Sequence, residues 1–188
     1  MLEIPEDRCE RHRIFQAIDS AFKAGDFDAL GKLLGGSPSW FDEMMPFEFG
    51  LSHPLEYAIY WSPCRFIEEL IEAGSNINYR DGAGFPSLIA TLSTNRADKL
   101  DILRLLIQHG VDLHQRGVND WTPLHYAVSR HDLEAIRLLL ASGADPTART
   151  RIDDYTTPLE DAEAAGMHDC VLLLREAMQR RPGGREDD

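Results

Sequence analysis

A helix-turn-helix unit that recurs along the chain restricts its fold more than any other feature of the sequence. Three segments align in register, residues 51–79, 84–115 and 120–148. The glycines that end these units lie 36 and 33 residues apart, at Gly74, Gly110 and Gly143. A degenerate fourth copy follows at residues 156–177. Self-similarity at such a period is the signature of stacked repeats.

The copy at 120–148 shows how each unit is built. Thr122 is a candidate N-cap and Pro123 stands at the first helical position, where its missing N–H costs nothing. Two apolar stripes at helical spacing follow, Leu124, Ala127 and Val128, then Leu133, Ile136, Leu139 and Leu140. Gly143 then ends the second helix. Since a single helix pair cannot bury both stripes, the pairs are expected to stack in a row.

Two motifs in this copy resemble those of the ankyrin repeat family. Residues 122–127 read T-P-L-H-Y-A and residues 139–145 read L-L-A-S-G-A-D, at the separation found in that family. The other copies are eroded, with H-P-L-E at 53–56 and P-S-L-I at 86–89. The resemblance implies an all-α ankyrin-repeat solenoid of stacked helix-turn-helix units with extended finger loops, about five units including caps.

The repeat register predicts the organisation of the whole chain. Residues 1–13 form an N-terminal segment, 14–178 the ankyrin-repeat domain and 179–188 a disordered tail. The domain divides into an N-terminal cap helix pair, a connector, three repeats and a capping repeat, at 14–36, 37–50, 51–83, 84–119, 120–155 and 156–178. The register places extra residues near Asn95 and near Ile152. The aromatic residues of the connector are expected to cover the first repeat, namely Trp40, Phe41, Phe47 and Phe49.

Charge and composition narrow the classes of partner and compartment. The formal net charge is −13, and the excess of acids is concentrated at the two ends of the chain. Such a chain should avoid nucleic acid. No apolar run approaches the length of a membrane-spanning helix and no secretory signal is evident at the N-terminus, so we expect a cytoplasmic protein without membrane contact. Three cysteines without paired spacing argue against a disulfide framework and against a zinc site.

The sequence offers no residue with an assignable catalytic, cofactor-binding or metal-binding role. It contains no Gly-rich phosphate loop, no HExxH and no GxSxG. The acidic residues around Asp153 and Glu160 are interpreted as a solvated face. By the family resemblance, His125 is structural and ties neighbouring loops by hydrogen bonds. We therefore do not expect an enzyme.

The resemblance implies that a folded protein partner binds the concave face and the finger tips of a monomeric chain. Carried onto this sequence, the predicted contacts are Tyr60, Trp61, Arg80, Phe85, Arg116, Asn119, Trp121, Arg130, Arg151, Asp154 and Tyr155. For Phe85 and Trp121, packing on a neighbouring loop is an equal alternative. The function predicted is that of a protein-interaction module. The alternatives are a dedicated inhibitor, such as a bacterial immunity protein that neutralises a toxic enzyme, and, less favoured, an enzyme with an unrecognised site.

Overall fold

The structure of the chain, a computed structural model, describes residues 7–37, 39–42, 53–80, 82–152 and 155–180. The regular structure in these ranges is helical throughout, with ten α-helices and no strand. The helices are α1 (Arg8–Ala24), α2 (Phe27–Leu33), α3 (Pro54–Trp61), α4 (Cys64–Glu72), α5 (Ser87–Ser93), α6 (Lys99–Gln108), α7 (Pro123–Ser129), α8 (Leu133–Ala141), α9 (Pro158–Ala164) and α10 (His168–Arg180). Short 3₁₀ helices span Trp40–Asp42 and Val118–Asp120.

The helices stack in two rows. In the inner row, α1, α3, α5, α7 and α9 each contact the next member. In the outer row, α4, α6, α8 and α10 do the same. Each helix also packs on its hairpin partner in the other row, as α7 does on α8. Contacts between neighbours along the chain are those of a solenoid, so the predicted fold class is confirmed.

The apolar stripes read from the sequence form the core between the rows. On α8, Ile136 and Leu139 are fully buried, and so are Phe66, Ile67 and Leu70 on α4. These positions recur at three- and four-residue spacing, which places them on one face of their helix. The buried side chains form one continuous cluster from Ile18 to Leu174. Every unit therefore depends on its neighbours for burial of its apolar surface.

The terminal units extend further than the sequence predicted. Helix α1 begins at Arg8, inside the expected N-terminal segment, because Asp7 accepts hydrogen bonds from the backbone N–H groups of Cys9 and Glu10, at 3.3 and 3.1 Å. At the other end α10 continues to Arg180, two residues into the expected tail. Residues 181–188, where the rest of that tail was predicted, lie outside the described residues.

The described part of the connector packs aromatic rings on the N-terminal helix pair. Trp40 is 4% exposed, and its ring centroid lies 5.0 Å from that of Phe27 and 6.4 Å from that of Phe22. Phe41 is partly buried against the same cluster. Trp40 thus packs on the N-terminal helix pair, whereas Phe41 also meets the first repeat, where its carbonyl accepts a hydrogen bond from the Ser75 hydroxyl at 3.0 Å. Phe47 and Phe49 lie outside the described residues.

Three loops join the outer helices to the following inner helices. We call them the first finger (73–86, of which residue 81 is not described), the second finger (109–122) and the third finger (142–157, of which residues 153 and 154 are not described). The first two touch through glycine, since the N–H of Val118 donates to the carbonyl of Gly84 at 2.7 Å. A Cβ atom added at Gly117 would lie 2.3 Å from that carbonyl oxygen, which is closer than non-bonded atoms approach. The spacing between these fingers therefore requires glycine at position 117.

Replacing Gly117 by alanine tests this contact. We expect Gly117→Ala to lower the free energy of unfolding by about 3 kcal/mol, because the two fingers must separate to admit the methyl group. Chemical denaturation followed by circular dichroism measures it. Gly82→Ala is the matched control, since no described atom lies within 4 Å of its added Cβ, and a change within about 0.5 kcal/mol is expected there. Equal stability of the two variants would contradict the packing argument.

Candidate protein-interaction surface

The T-P-L-H motif fixes the base of the second and third fingers. The Thr122 hydroxyl donates to Nδ1 of His125 at 2.8 Å, and Nε2–H of His125 donates to the carbonyl of Thr156 at 3.2 Å. His125 is 1% exposed, and burial lowers the pKa of its imidazole below the usual value, which favours the neutral ring this pattern needs. The role implied by the resemblance is confirmed, since one side chain joins two loops.

In the first repeat a histidine at the threonine position makes an equivalent connection. Nδ1 of His53 accepts from the N–H of Leu55 at 3.2 Å, which caps α3, and Nε2–H donates to Asp42 at 3.0 Å. The ring stacks on that of Tyr79, with centroids 4.6 Å apart. Burial lowers the pKa of His53, against the opposing effect of Asp42. Sequence reasoning missed this residue, although a polar side chain directly before Pro54 was a signal for a cap.

Asp120 joins the second finger to the third. Its carboxylate accepts from Nη1 of Arg116 at 2.8 Å and from both the backbone N–H and Nη2 of Arg151, at 2.6 Å each. Only 10% of the Asp120 side chain is exposed. The hydrogen bond from Arg151 is the main cause of a lowered pKa at Asp120. The sequence assigned both arginines to partner contact, but the structure shows them holding fingers together, and only Arg151 remains largely exposed.

A third arginine, Arg149, fixes the third finger to the capping repeat. Arg149 donates to both carboxylate oxygens of Glu160, at 2.8 and 2.9 Å, and to the carbonyl of Tyr155 at 2.8 Å. The N–H of Thr150 donates across the finger to Thr156 at 2.9 Å. Glu160, interpreted from sequence as part of a solvated acidic face, is thus an ion-pair partner. Asp154, also predicted as a contact, lies outside the described residues.

Phe85 and Trp121 form an aromatic cluster with Tyr126, on the side of the inner helices that faces the fingers. The ring centroid of Tyr126 lies 6.5 Å from that of Phe85 and 6.2 Å from that of Trp121. All three residues are half-buried. For Phe85 and Trp121, where the sequence left packing and contact equally open, the structure shows packing, with part of each residue still accessible. Tyr126 was missed.

The remaining inner-helix candidates lie at the C-terminal ends of the inner helices, away from the fingers. Trp61 closes α3 and Arg130 follows α7, so each is the length of an inner helix, about 12 Å, from the fingers. Trp61 is 55% exposed, with the ammonium group of Lys23 5.7 Å from its ring centroid. The hydroxyl of Tyr60 lies 3.0 Å from that of Ser93. The aromatic candidates therefore lie at both ends of the inner helices, with Phe85 and Trp121 at the finger end and Trp61 at the other end.

A family model for ankyrin repeats (3 copies) matches residues 55–150 and, in a second overlapping match, residues 93–181. The two matches together cover more than half of the chain. The chain belongs to the ankyrin repeat family.

Several proteins are similar to parts of this ankyrin-repeat chain. Human BCL-6 corepressor-like protein 1 is 39% identical over 75 residues, which are 40% of this chain and 4% of that protein. Mouse protein phosphatase 1 regulatory subunit 27 is 38% identical over 74 residues, covering 39% of this chain and 46% of that protein. The Arabidopsis thaliana putative E3 ubiquitin-protein ligase XBAT35 is 33% identical over 110 residues, with coverages of 57% and 23%. The chain spans less than half the length of each relative.

Four predicted contacts of this ankyrin-repeat chain are exposed on its fingers, namely Arg80, Asn119, Arg151 and Tyr155. Tyr155 is 61% exposed, and Ile152 is 49% exposed on the same finger. No described helix is long and apolar enough to cross a bilayer. Within the same part of the chain, no group of three or more His, Cys, Asp or Glu side chains is placed to hold a metal ion.

The two buried histidines predict how stability depends on pH. The unfolded chain protonates histidine near pH 6.5, whereas burial holds the folded pKa of His53 and His125 lower. The unfolded state therefore binds more protons below pH 6.5, and the free energy of unfolding should fall as pH decreases from 7 to 5.5, by up to about 1.4 kcal/mol per pH unit for each ring. Urea titrations at several pH values measure this dependence. In the double variant His53→Gln/His125→Gln, the free energy of unfolding should change less with pH than in the parent chain. A slope equal to that of the parent chain would contradict the assignment.

Asp120 provides a test of the link between fingers. We expect Asp120→Asn to lower the free energy of unfolding by about 2 kcal/mol, because Arg116 and Arg151 lose a shared, mostly buried acceptor. The control is Asp101→Asn, which removes an exposed pair with Arg104 and should change stability by less than about 0.5 kcal/mol. Thermal unfolding measures the stability of both variants. An equal loss of stability in the two would contradict the link between fingers assigned to Asp120.

Proposed function

We propose that this chain is a protein-interaction module that binds a folded protein through the inner-row face and the finger tips. The observation that carries the proposal is the exposure of large aromatic side chains on that side, above all Trp61 and Tyr155, at 55% and 61%. Aromatic and arginine side chains dominate interface energy once water is excluded from them. Such exposed anchors, on a scaffold whose core is otherwise well buried, suit recognition of another surface.

The family and its named relatives support the same class of function. Ankyrin repeats are general protein-interaction modules. The similar proteins include one named as a corepressor-like protein and one named as a regulatory subunit of a phosphatase. We infer a regulatory or adaptor role for the chain, in which binding rather than catalysis is the activity.

Charge supports a partner that is a protein with a basic surface. The net charge of −13 opposes approach to nucleic acid and speeds encounter with a positively charged protein. The same property suits a dedicated inhibitor of a toxic enzyme, the alternative drawn from the sequence. The two roles differ in outcome, since an inhibitor abolishes the activity of its partner at equal molar amounts and an adaptor leaves that activity intact.

A matched pair of variants tests the proposed face. The first combines Trp61→Ser, Arg130→Ala and Tyr155→Ser, three exposed positions on the proposed side. The control combines Arg137→Ala and Leu172→Ser, which are exposed on the outer row. Tagged chains are recovered from the native host and their partners are quantified by mass spectrometry.

We expect at least a ten-fold loss of specific partner with the first variant and no loss with the control, provided that circular dichroism shows both folded. Equal recovery with the parent chain and the first variant would reject the proposed face. A greater loss with the outer-row control would move the interface to the other side of the solenoid. Adding the purified chain to the recovered partner then distinguishes adaptor from inhibitor.

A further inference from the structure

A polar cleft with a volume of about 410 Å³ lies between described residues of the fingers. We call it the finger cleft. The charged and amide or imidazole side chains that line it belong to Arg80, Asp112, His114, Gln115, Arg116 and Arg151. The chain as a whole has a net charge of −13, so three arginine side chains at one cleft run against the charge of the rest of the chain.

The walls of the finger cleft are held by hydrogen bonds between the first and second fingers. The amide nitrogen of Gln115 donates to the carbonyls of Asn78 and Tyr79, at 3.2 and 2.9 Å. The backbone N–H of Asp112 donates to the side-chain oxygen of Asn78 at 2.8 Å. A cleft that is built before its ligand arrives loses less conformational entropy on binding, so more of the contact energy appears as affinity.

Two of the three arginines share a single carboxylate. Nη1 of Arg116 and Nε of Arg151 both donate to Oδ2 of Asp120, at 2.8 and 3.2 Å, which places the two guanidinium groups side by side. Among the described residues, one carboxylate lines the cleft itself, that of Asp112, and it accepts from the backbone N–H of His114 at 2.8 Å. The guanidinium groups therefore outnumber the carboxylates that face them.

The three arginines also keep hydrogen-bond donors that no described atom uses. A guanidinium group carries five N–H donors and no acceptor. The side chain of Arg80 is exposed and makes no hydrogen bond or ion pair with the described residues. Within the same part of the chain, Nη1 of Arg151 and Nε of Arg116 have no acceptor, since the bonds of these residues are made by their other nitrogen atoms. These free donors match the oxygen atoms of an anion.

We propose that the finger cleft binds a phosphate monoester. Its three terminal oxygens accept from three guanidinium groups, and arginine pairs with phosphate through short, charge-assisted hydrogen bonds. A carboxylate, with two oxygens and a single charge, satisfies fewer of these donors. Two sources share this chemistry, a phosphorylated side chain of another protein and a free phosphorylated metabolite.

The phosphate site goes beyond the proposed function and can fail separately from it. The three residues that test the proposed face, Trp61, Arg130 and Tyr155, do not line the finger cleft. Loss of the phosphate site would therefore leave the protein-interaction role untouched, and the reverse also holds.

Isothermal titration of the full chain with defined probes tests the class of ligand. The probes are a blocked Gly-phosphoserine-Gly peptide, the same peptide with serine or glutamate at the centre, and glycerol 3-phosphate. We expect a phosphate probe to bind about ten-fold more tightly than the glutamate peptide, and the serine peptide not to bind. Preference for the phosphopeptide over glycerol 3-phosphate supports the site with a protein side chain as its source, and equal or tighter binding of glycerol 3-phosphate supports it with a metabolite. Failure of both phosphate probes to bind, or a glutamate peptide that binds as tightly, overturns the proposal.

Arg80→Gln is the variant that tests the site without disturbing the fold, because the Arg80 side chain makes no contact of the kinds above with the described residues. It should raise Kd for the phosphate probe about five-fold while the circular dichroism spectrum stays unchanged. Arg65→Gln is the matched control, since Arg65 is exposed in the first turn of α4, at the other end of that helix from the first finger. An unchanged Kd for Arg80→Gln, or an equal rise in both variants, overturns the proposal.

Nuclear magnetic resonance locates the bound phosphate independently of any variant. On addition of the phosphate probe, we expect the backbone amide signals of Gln115 and Arg116 to shift while that of Trp61 stays in place. Shifts at Trp61 without shifts at Gln115 and Arg116 overturn the assignment of the ligand to the finger cleft.

Discussion

Burial of paired apolar stripes is the constraint on which this molecule depends. Each hairpin has one stripe on its inner helix and one on its outer helix, as Leu124 and Ile136 illustrate, and neither can leave water unless another hairpin stacks on it. The hydrophobic effect therefore acts between neighbours along the chain. Stability accumulates unit by unit, and the terminal units must cover the exposed ends of the stack.

The fingers are ordered by polar contacts that the hydrophobic core does not provide. His53 ties the connector to the first repeat, while His125 and Asp120 join the second finger to the third. Each of these side chains is mostly buried and bonded on more than one side, so it positions the loops that it joins. Among the described residues, the large hydrophobic side chains that stay exposed include Trp61, Ile152 and Tyr155.

The fold was predictable because its determinants are local and periodic. The motif from Thr122 to Ala127 marks the start of a helix, and the terminating glycines mark helix ends. Each of these signals acts within a few residues of its own position. The start of α1 was missed because its cap, Asp7, precedes the recognisable repeat. The contacts of the candidate surface residues were harder to predict. Arg116 and Trp61 are both typical interface residue types, yet one bonds to neighbouring fingers and the other lies exposed at the far end of an inner helix.

The sequence by itself determined the helical hairpins, their register and their stacking, because apolar spacing, caps and glycines act over one or two turns. Only the tertiary structure decided which polar and aromatic side chains make the contacts that hold the fingers together. That choice depends on contacts between residues some thirty positions apart, such as Asp120 with Arg151. Such contacts have no periodic signal in the sequence, since they arise from the distance between stacked loops and not from the spacing along any one helix.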